Sequence, residues 1–170
     1  MKRKSFQSMQ CPVARTLERV GEWWSILILR DAMFGLTKFD QFRDSLGISP
    51  NILSSRLKHL VANGFLERKV DSGSPIRVDY VLSPKGRAFQ PVLLYLHAFG
   101  SEHFAPEGRA VVVVNRKTGK PADVQIVDRK IGRGVTWPEY GLAPGPVASE
   151  RMKAKLAAAE EILNRKRRAS

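Results

Sequence analysis

Gly47-Ile-Ser-Pro-Asn-Ile-Leu-Ser-Ser-Arg-Leu-Lys-His-Leu-Val-Ala-Asn-Gly64 decides how the whole chain is read. Ser49 is a good helix N-cap, and Pro50 suits the first helical position, where no partner needs its missing N–H. Leu53, Leu57, Leu60 and Val61 recur at i, i+4, i+7 and i+8, which makes one side of the helix apolar. The opposite side carries Asn51, Ser54, Ser55, Lys58 and His59, with almost no acid. Gly64 closes the helix. A polar outer face without negative charge suits a groove of duplex DNA.

Upstream, Thr37 is placed to cap a short helix containing Phe39, Phe42 and Leu46, which Gly47 ends. That helix, the turn from Gly47 to Pro50 and the Ser-capped helix make a helix-turn-helix. Downstream, Phe65-Leu-Glu-Arg-Lys-Val70 and Ile76-Arg-Val-Asp-Tyr-Val-Leu82 flank the turn Asp71-Ser-Gly-Ser-Pro75, the pattern of a β-hairpin. A basic hairpin placed directly after a helix-turn-helix is a wing. Farther upstream, Trp23-Trp24-Ser-Ile-Leu-Ile-Leu-Arg-Asp-Ala-Met-Phe34 is apolar nearly all round, which predicts a buried central helix ending at Gly35. Before it, Pro12, Val13, Leu17 and Val20 predict a first helix stopped by Gly21. Ser83-Pro84 repeats the cap-plus-proline signal and predicts one long helix through Phe89, Val92, Leu93, Leu96 and Phe99.

Charge agrees with an anionic partner. The 170 residues carry 29 Lys+Arg against 16 Asp+Glu, a formal net charge of +13, which favours nucleic acid over a membrane surface. Basic residues exceed acidic ones in all three parts of the chain, so the folded part itself presents positive surface. A single cysteine, Cys11, excludes an intrachain disulfide framework and a zinc site built on several thiolates. No apolar run follows the basic start, and none approaches the roughly 18 residues that span a bilayer. The expected location is therefore the cytoplasm.

Gly21-Glu-Trp-Trp-Ser-Ile-Leu-Ile-Leu-Arg-Asp31, Phe39-Asp-Gln-Phe42, Gly47 to Leu57 and Arg77-Val-Asp-Tyr-Val-Leu-Ser-Pro-Lys-Gly86 resemble the HxlR family of winged-helix regulators. The resemblance covers about residues 10–104, in order and spacing; Trp23 stands where many members have Lys or Arg. It implies a dimeric DNA-binding repressor or activator, with the dimer contact made by the first helix and the long helix after the wing. The expected fold class is α+β, mainly α: a winged helix-turn-helix with that long dimerisation helix, a C-terminal β-extension and a terminal helix. The expected divisions are 10–104, 105–146 and 147–170.

Asn51, Ser54, Ser55 and Lys58 are the candidates for base edges: Asn reads adenine with two bonds, Lys suits guanine, and Ser is permissive. Ser49, which opens the same helix, is a further DNA contact, and Arg56 and His59 at its flank are better placed for phosphate, with a donor to nearby backbone as the alternative for His59. Arg68, Lys69 and Arg77 flank the wing, and Arg77 is the choice for phosphate or the minor groove. The bland alternative for Arg77 is a pair with Asp79. Lys38 and Arg43 are candidates for positioning contacts, with the role of bystander as the favoured alternative. A lone Cys before Pro near the N-terminus serves some members of the resembling family as a redox or electrophile sensor. That makes Cys11 a candidate sensor, with Arg15 one turn on, against the alternative of a small buried hydrophobe. Trp23, Trp24 and the Phe residues read as core rather than as a ligand pocket.

In the last third, Val114-Asn-Arg-Lys-Thr-Gly-Lys120 and Val127-Asp-Arg-Lys-Ile-Gly-Arg133 form a pseudo-repeat, each copy following a Val-rich strand. It is similar to the cysteine-bearing ribbon some relatives append, but no Cys stands at these turns, so no metal is expected. The extension is expected to pack on its own domain or on a partner subunit; extra phosphate contact through Arg116, Lys117, Arg129 and Lys130 is the alternative. Trp137 to Pro146 is linker-like, and Met152, Leu156, Ala159 and Leu163 give the last helix an apolar stripe suited to a partner helix. Its basic end, Arg165-Lys-Arg-Arg168, is expected to fray.

Enzyme chemistry finds no support. There is no phosphate-binding glycine loop, and His59, His97 and His103 lie on separate helical faces or ends. No cofactor is expected. The reading is a sequence-specific DNA-binding homodimer on a pseudo-palindromic operator, repressor before activator, with a small-molecule or redox effector left open. The competing reading is a winged helix used purely for protein contact.

Overall fold

The computed structural model describes residues 5–71, 74–136 and 139–169. Four helices open the chain: α1 (Pro12–Val20), α2 (Trp23–Met33), α3 (Phe39–Leu46) and α4 (Pro50–Ala62). The antiparallel strands β1 (Leu66–Asp71) and β2 (Ser74–Leu82) follow, then α5 (Pro84–Ala88) and α6 (Gln90–His103). Two short strands, β3 (Val127–Asp128) and β4 (Arg133–Gly134), precede the terminal α7 (Glu150–Ala169). This is the expected mainly α winged helix-turn-helix.

The core is built where α2, α3, α4 and the base of the β1–β2 hairpin meet. Ile28 and Leu29 from α2, Phe42 from α3, and Leu53, Leu57 and Leu60 from α4 are all closed to solvent. Val20 of α1, Ile48 between α3 and α4, Phe65 just before β1, Leu66 at its start and Leu93 of α6 complete the cluster. Removing such side chains from water is the dominant favourable term in folding, at about 25 cal/mol per Å² of apolar surface.

Three local expectations need correcting. The long helix after the wing is two helices that meet at Phe89, because Pro91 has no N–H to give to the preceding turn. Val92 and Leu93 both turn back to the Phe89 carbonyl instead. Trp23 is not core: it is 73% exposed, since the buried stripe of α2 runs through Ser25, Ile28 and Leu29. Phe34, Phe99 and Phe104 are exposed as well, whereas Trp24, Phe39 and Phe89 do pack against the core. Finally, Thr37 does not cap α3. Lys38 takes the cap position, and the Gln41 Oε1 accepts from the backbone N–H groups of Thr37 and Lys38, each at 2.9 Å.

The pseudo-repeat of the last third is a structural repeat. The Asn115 and Asp128 side chains each accept from the backbone N–H two residues on, at 2.9 Å in both copies. Gly119 and Gly132 close the two turns in the left-handed region, at φ +69° and +70°. Both donate back to the carbonyl of the turn's first residue at 2.8 Å. Paired strand is short: β3 pairs with β4, and the first copy is held by a single bridge between Val114 and Pro121. At the far end, the Gln10 amide holds the approach to α7, donating to the Val147 carbonyl at 3.3 Å and accepting from Ser149 N–H at 3.0 Å.

Candidate nucleic-acid interface

The turn between α3 and α4 is made by Gly47, whose φ of +59° lets the chain reverse without strain. Ile48 is buried in that turn, and the Ser49 Oγ accepts from the Ile52 N–H at 3.4 Å, capping α4. With Leu53, Leu57 and Leu60 fully buried, the opposite side of α4 must face out. Asn51, Ser55 and Lys58 share that outer face and are exposed, with Ser54 half-buried beside them. Ile52 is also on the solvent side, 42% exposed. Periodicity had not singled it out, although an apolar residue exposed beside Asn51 is a fit contact for a thymine methyl.

Four of the expected contact residues, Arg56, His59, Lys38 and Arg43, are engaged within the chain. An Nη2 of Arg56 lies 3.3 Å from a Glu22 carboxylate oxygen at the start of α2, and its Nε is buried. The His59 Nε2 lies 2.9 Å from the Arg19 carbonyl at the end of α1, a contact in which the ring donates. Both bonds fasten α4 to the α1–α2 corner. The Lys38 Nζ meets the Asp79 Oδ2 at 2.5 Å, and the Thr37 hydroxyl donates to the other Asp79 oxygen at 2.5 Å. Arg43 of α3 pairs with Asp40 and Asp44.

The Asp79 contacts tie the wing to the helix-turn-helix. The Tyr80 N–H donates to the Thr37 carbonyl at 2.8 Å, and Lys38 bridges to Asp79, so the segment before α3 pairs along the edge of β2. Hydrogen bonds from Lys38 and then Thr37 hold the Asp79 carboxyl below its ordinary range. A lowered folded-state value means that the clamp contributes fully at neutral pH. It is lost only as pH falls through a value below the roughly 3.9 of a free aspartate. Asp79 is thus a clamp for Thr37 and Lys38.

In the hairpin, Leu66 pairs with Leu82, Arg68 with Tyr80 and Lys69 with Asp79, and a bulge falls between Val70 and Asp71. Arg68 and Lys69 are exposed. Arg77 lies in β2, but its side chain is outside the described residues. At the hairpin base, the Ser83 Oγ donates to the Gly64 carbonyl at 2.6 Å and accepts from Gly86 N–H at 2.9 Å. Gly86 is required there: a Cβ on it would lie 2.1 Å from the Phe65 carbonyl oxygen. This junction fixes the angle between wing and α4.

Cys11 is half-buried at the N-cap of α1. The Arg15 Nε turns to the Met9 carbonyl at 2.6 Å. No group of His, Cys, Asp and Glu among the described residues could hold a metal ion. No helix among them is long and apolar enough to cross a membrane.

A capped helix with a free polar face, a preceding helix at a left-handed glycine turn and a clamped hairpin define a winged helix-turn-helix of the transcription-regulator class. The chain belongs to the HxlR-like helix-turn-helix family, whose model matches residues 19–108. It is similar to an uncharacterized HTH-type transcriptional regulator of Mycobacterium tuberculosis, 38% identical over 85% of this chain and 90% of the relative. Among solved structures it is similar to PA1374 of Pseudomonas aeruginosa, described as a candidate transcription factor. That match is 46% identical, with a TM-score of 0.61, over 86% of this chain and 100% of that one. PA1607, described in the same way, matches at a TM-score of 0.75 and 36% identity over 84% of this chain and 100% of that one. The family is one of DNA-binding transcriptional regulators, not of enzymes.

Proposed function

We propose that the chain is a cytoplasmic, sequence-specific repressor that binds a roughly two-fold operator as a homodimer, with α4 in the major groove. The outward face of α4 carries this reading, because Asn51, Ser55 and Lys58 are exposed together with no carboxylate among them. In this reading Asn51 and Lys58 specify bases, Ser54 and Ser55 adapt, and Ile52 meets a thymine methyl. Ser49 holds the first turn of α4 at the groove. Arg68, Lys69 and Arg77 of the wing take phosphate or the minor groove. Arg56, His59 and Lys38 act by fastening α4 and the wing in place, since each already has a partner in the chain. A second copy is supported by the apolar residues left open on α1 (Val13, Leu17) and α6 (Val92, Tyr95, Phe99).

The test is selection of bound duplexes from random sequence, followed by titration of the selected site at several salt concentrations. The expected result is a two-fold motif whose half-sites lie about 34 Å apart or a multiple of it, with affinity falling steeply as salt rises. Asn51→Ala is expected to relax preference at one position per half-site by roughly 1–3 kcal/mol and to leave other positions unchanged. Recovery of no motif, or affinity indifferent to salt, would overturn the reading. A redox effector is testable on the same site: operator release by a thiol oxidant that persists in Cys11→Ser excludes Cys11 as its sensor.

A further inference from the structure

A cavity of about 690 Å³ lies between α2, α6 and the segment 111–116 of the C-terminal extension. Its walls are apolar, with Ile26 and Met33 from α2, Leu93 and Leu94 from α6, and Val111 and Val113 from the extension. The charged or polar members of its lining are Arg30, Gln90, His97 and Arg116, and no carboxylate lines it. We propose that this cavity binds a small organic anion with an apolar ring system, its charged end beside Arg116.

The volume is within the range of roughly 300–1,000 Å³ typical of small-molecule sites, and the mixture of apolar wall with a few convergent polar groups is typical too. The two arginines differ. The Arg30 Nε and Nη2 both reach the Oδ1 of buried Asp31, at 2.9 and 2.7 Å, so most of its charge is already answered. Arg116 has no ion pair or side-chain hydrogen bond among the described residues. That residue is exposed, and a carboxylate or sulfonate would meet its guanidinium with charge-assisted bonds that a neutral ligand cannot make. The positive field of the chain draws the same class of molecule. Of the cavity's walls, α2 also packs against α4. An occupant would therefore press on the helix that backs the outward face.

The experiment uses the full chain and 1-anilinonaphthalene-8-sulfonate, an apolar anion whose fluorescence reports binding, with no DNA present. The DNA reading can thus fail while this one stands, and the reverse. Saturable binding at one probe per chain is expected, with displacement by 2-naphthoate at least tenfold better than by its neutral isostere 2-naphthamide. Arg116→Gln is expected to weaken the probe about tenfold, while Lys117→Gln, one residue on, leaves it unchanged. Leu94→Trp, which fills the cavity, is expected to abolish binding. Equal displacement by acid and amide, equal effects of Arg116→Gln and Lys117→Gln, or no saturable binding because a second copy fills the cavity would each overturn the proposal.

Discussion

Residues 20–93 and residues 101–165 are held in shape by different means. In the first region Leu29, Phe42, Leu53, Leu57 and Leu60 are sealed from water, and long-range bonds join elements far apart in sequence. In the second, no described residue is buried, and the apolar side chains of Val111, Ile126, Ile131 and Val135 are open in the single chain. Between Asn115 and Gly132 its order comes chiefly from turns closed within five residues of chain, the same turn used twice. A domain core and a pair of self-contained turns are both regular. Only the core supplies the hydrophobic term that resists global unfolding.

The largest effect is expected where that core is densest. Leu57→Ala removes a fully buried side chain from the inner face of α4. It should cost about 2–5 kcal/mol, seen as a lower urea midpoint with little change in slope. Val135→Ala, in the second region, should stay within about 0.5 kcal/mol. Equal losses at the two positions would break the contrast.

A smaller effect is expected at the seam between core and wing. The Cβ of Gly86→Ala meets the Phe65 carbonyl oxygen, a backbone atom that cannot move aside alone. Overpacking of this kind costs about 1–3 kcal/mol, and the hairpin base must shift with respect to α4. Operator affinity should therefore fall further than stability does, measured by anisotropy and by urea melting on the same preparation. A loss of stability with affinity unchanged would mean that the wing is not held to α4 through this junction.

Legibility in the sequence followed range. The cap at Ser49, the apolar spacing along α4 and the left-handed glycine at Gly47 are settled within a turn or two of chain, and periodicity reads them directly. The repeated turns were visible for the same reason, as Asn or Asp followed four residues later by Gly. What periodicity missed is tertiary. Nothing local says that Lys38 meets Asp79 across 41 residues or that His59 meets Arg19 across 40. The sequence offers a backbone acceptor for His59 only as an alternative and no partner for Lys38, because only the fold brings those groups near. Pro91 was the exception: its helix-breaking chemistry is local, and the unbroken apolar spacing around it masked the break.

The smallest effect is expected in the tail, and it separates local order from global stability most finely. Gly119 and Gly132 hold matched positive φ angles, with no atom within 4 Å of where a Cβ would stand. Alanine at either position therefore meets no clash and pays only for the left-handed backbone, about 1 kcal/mol. That cost falls on the turn itself. Hydrogen exchange at the Lys117 or Lys130 amide, each bonded to its turn's Asn115 or Asp128 side chain, should quicken about fivefold in the matching variant. The melting temperature of the chain should not move, because unfolding the turn exposes no core. A melting temperature that falls with either substitution would show that the extension is part of the cooperative domain. The division of the molecule at the end of α6 would then have to be abandoned.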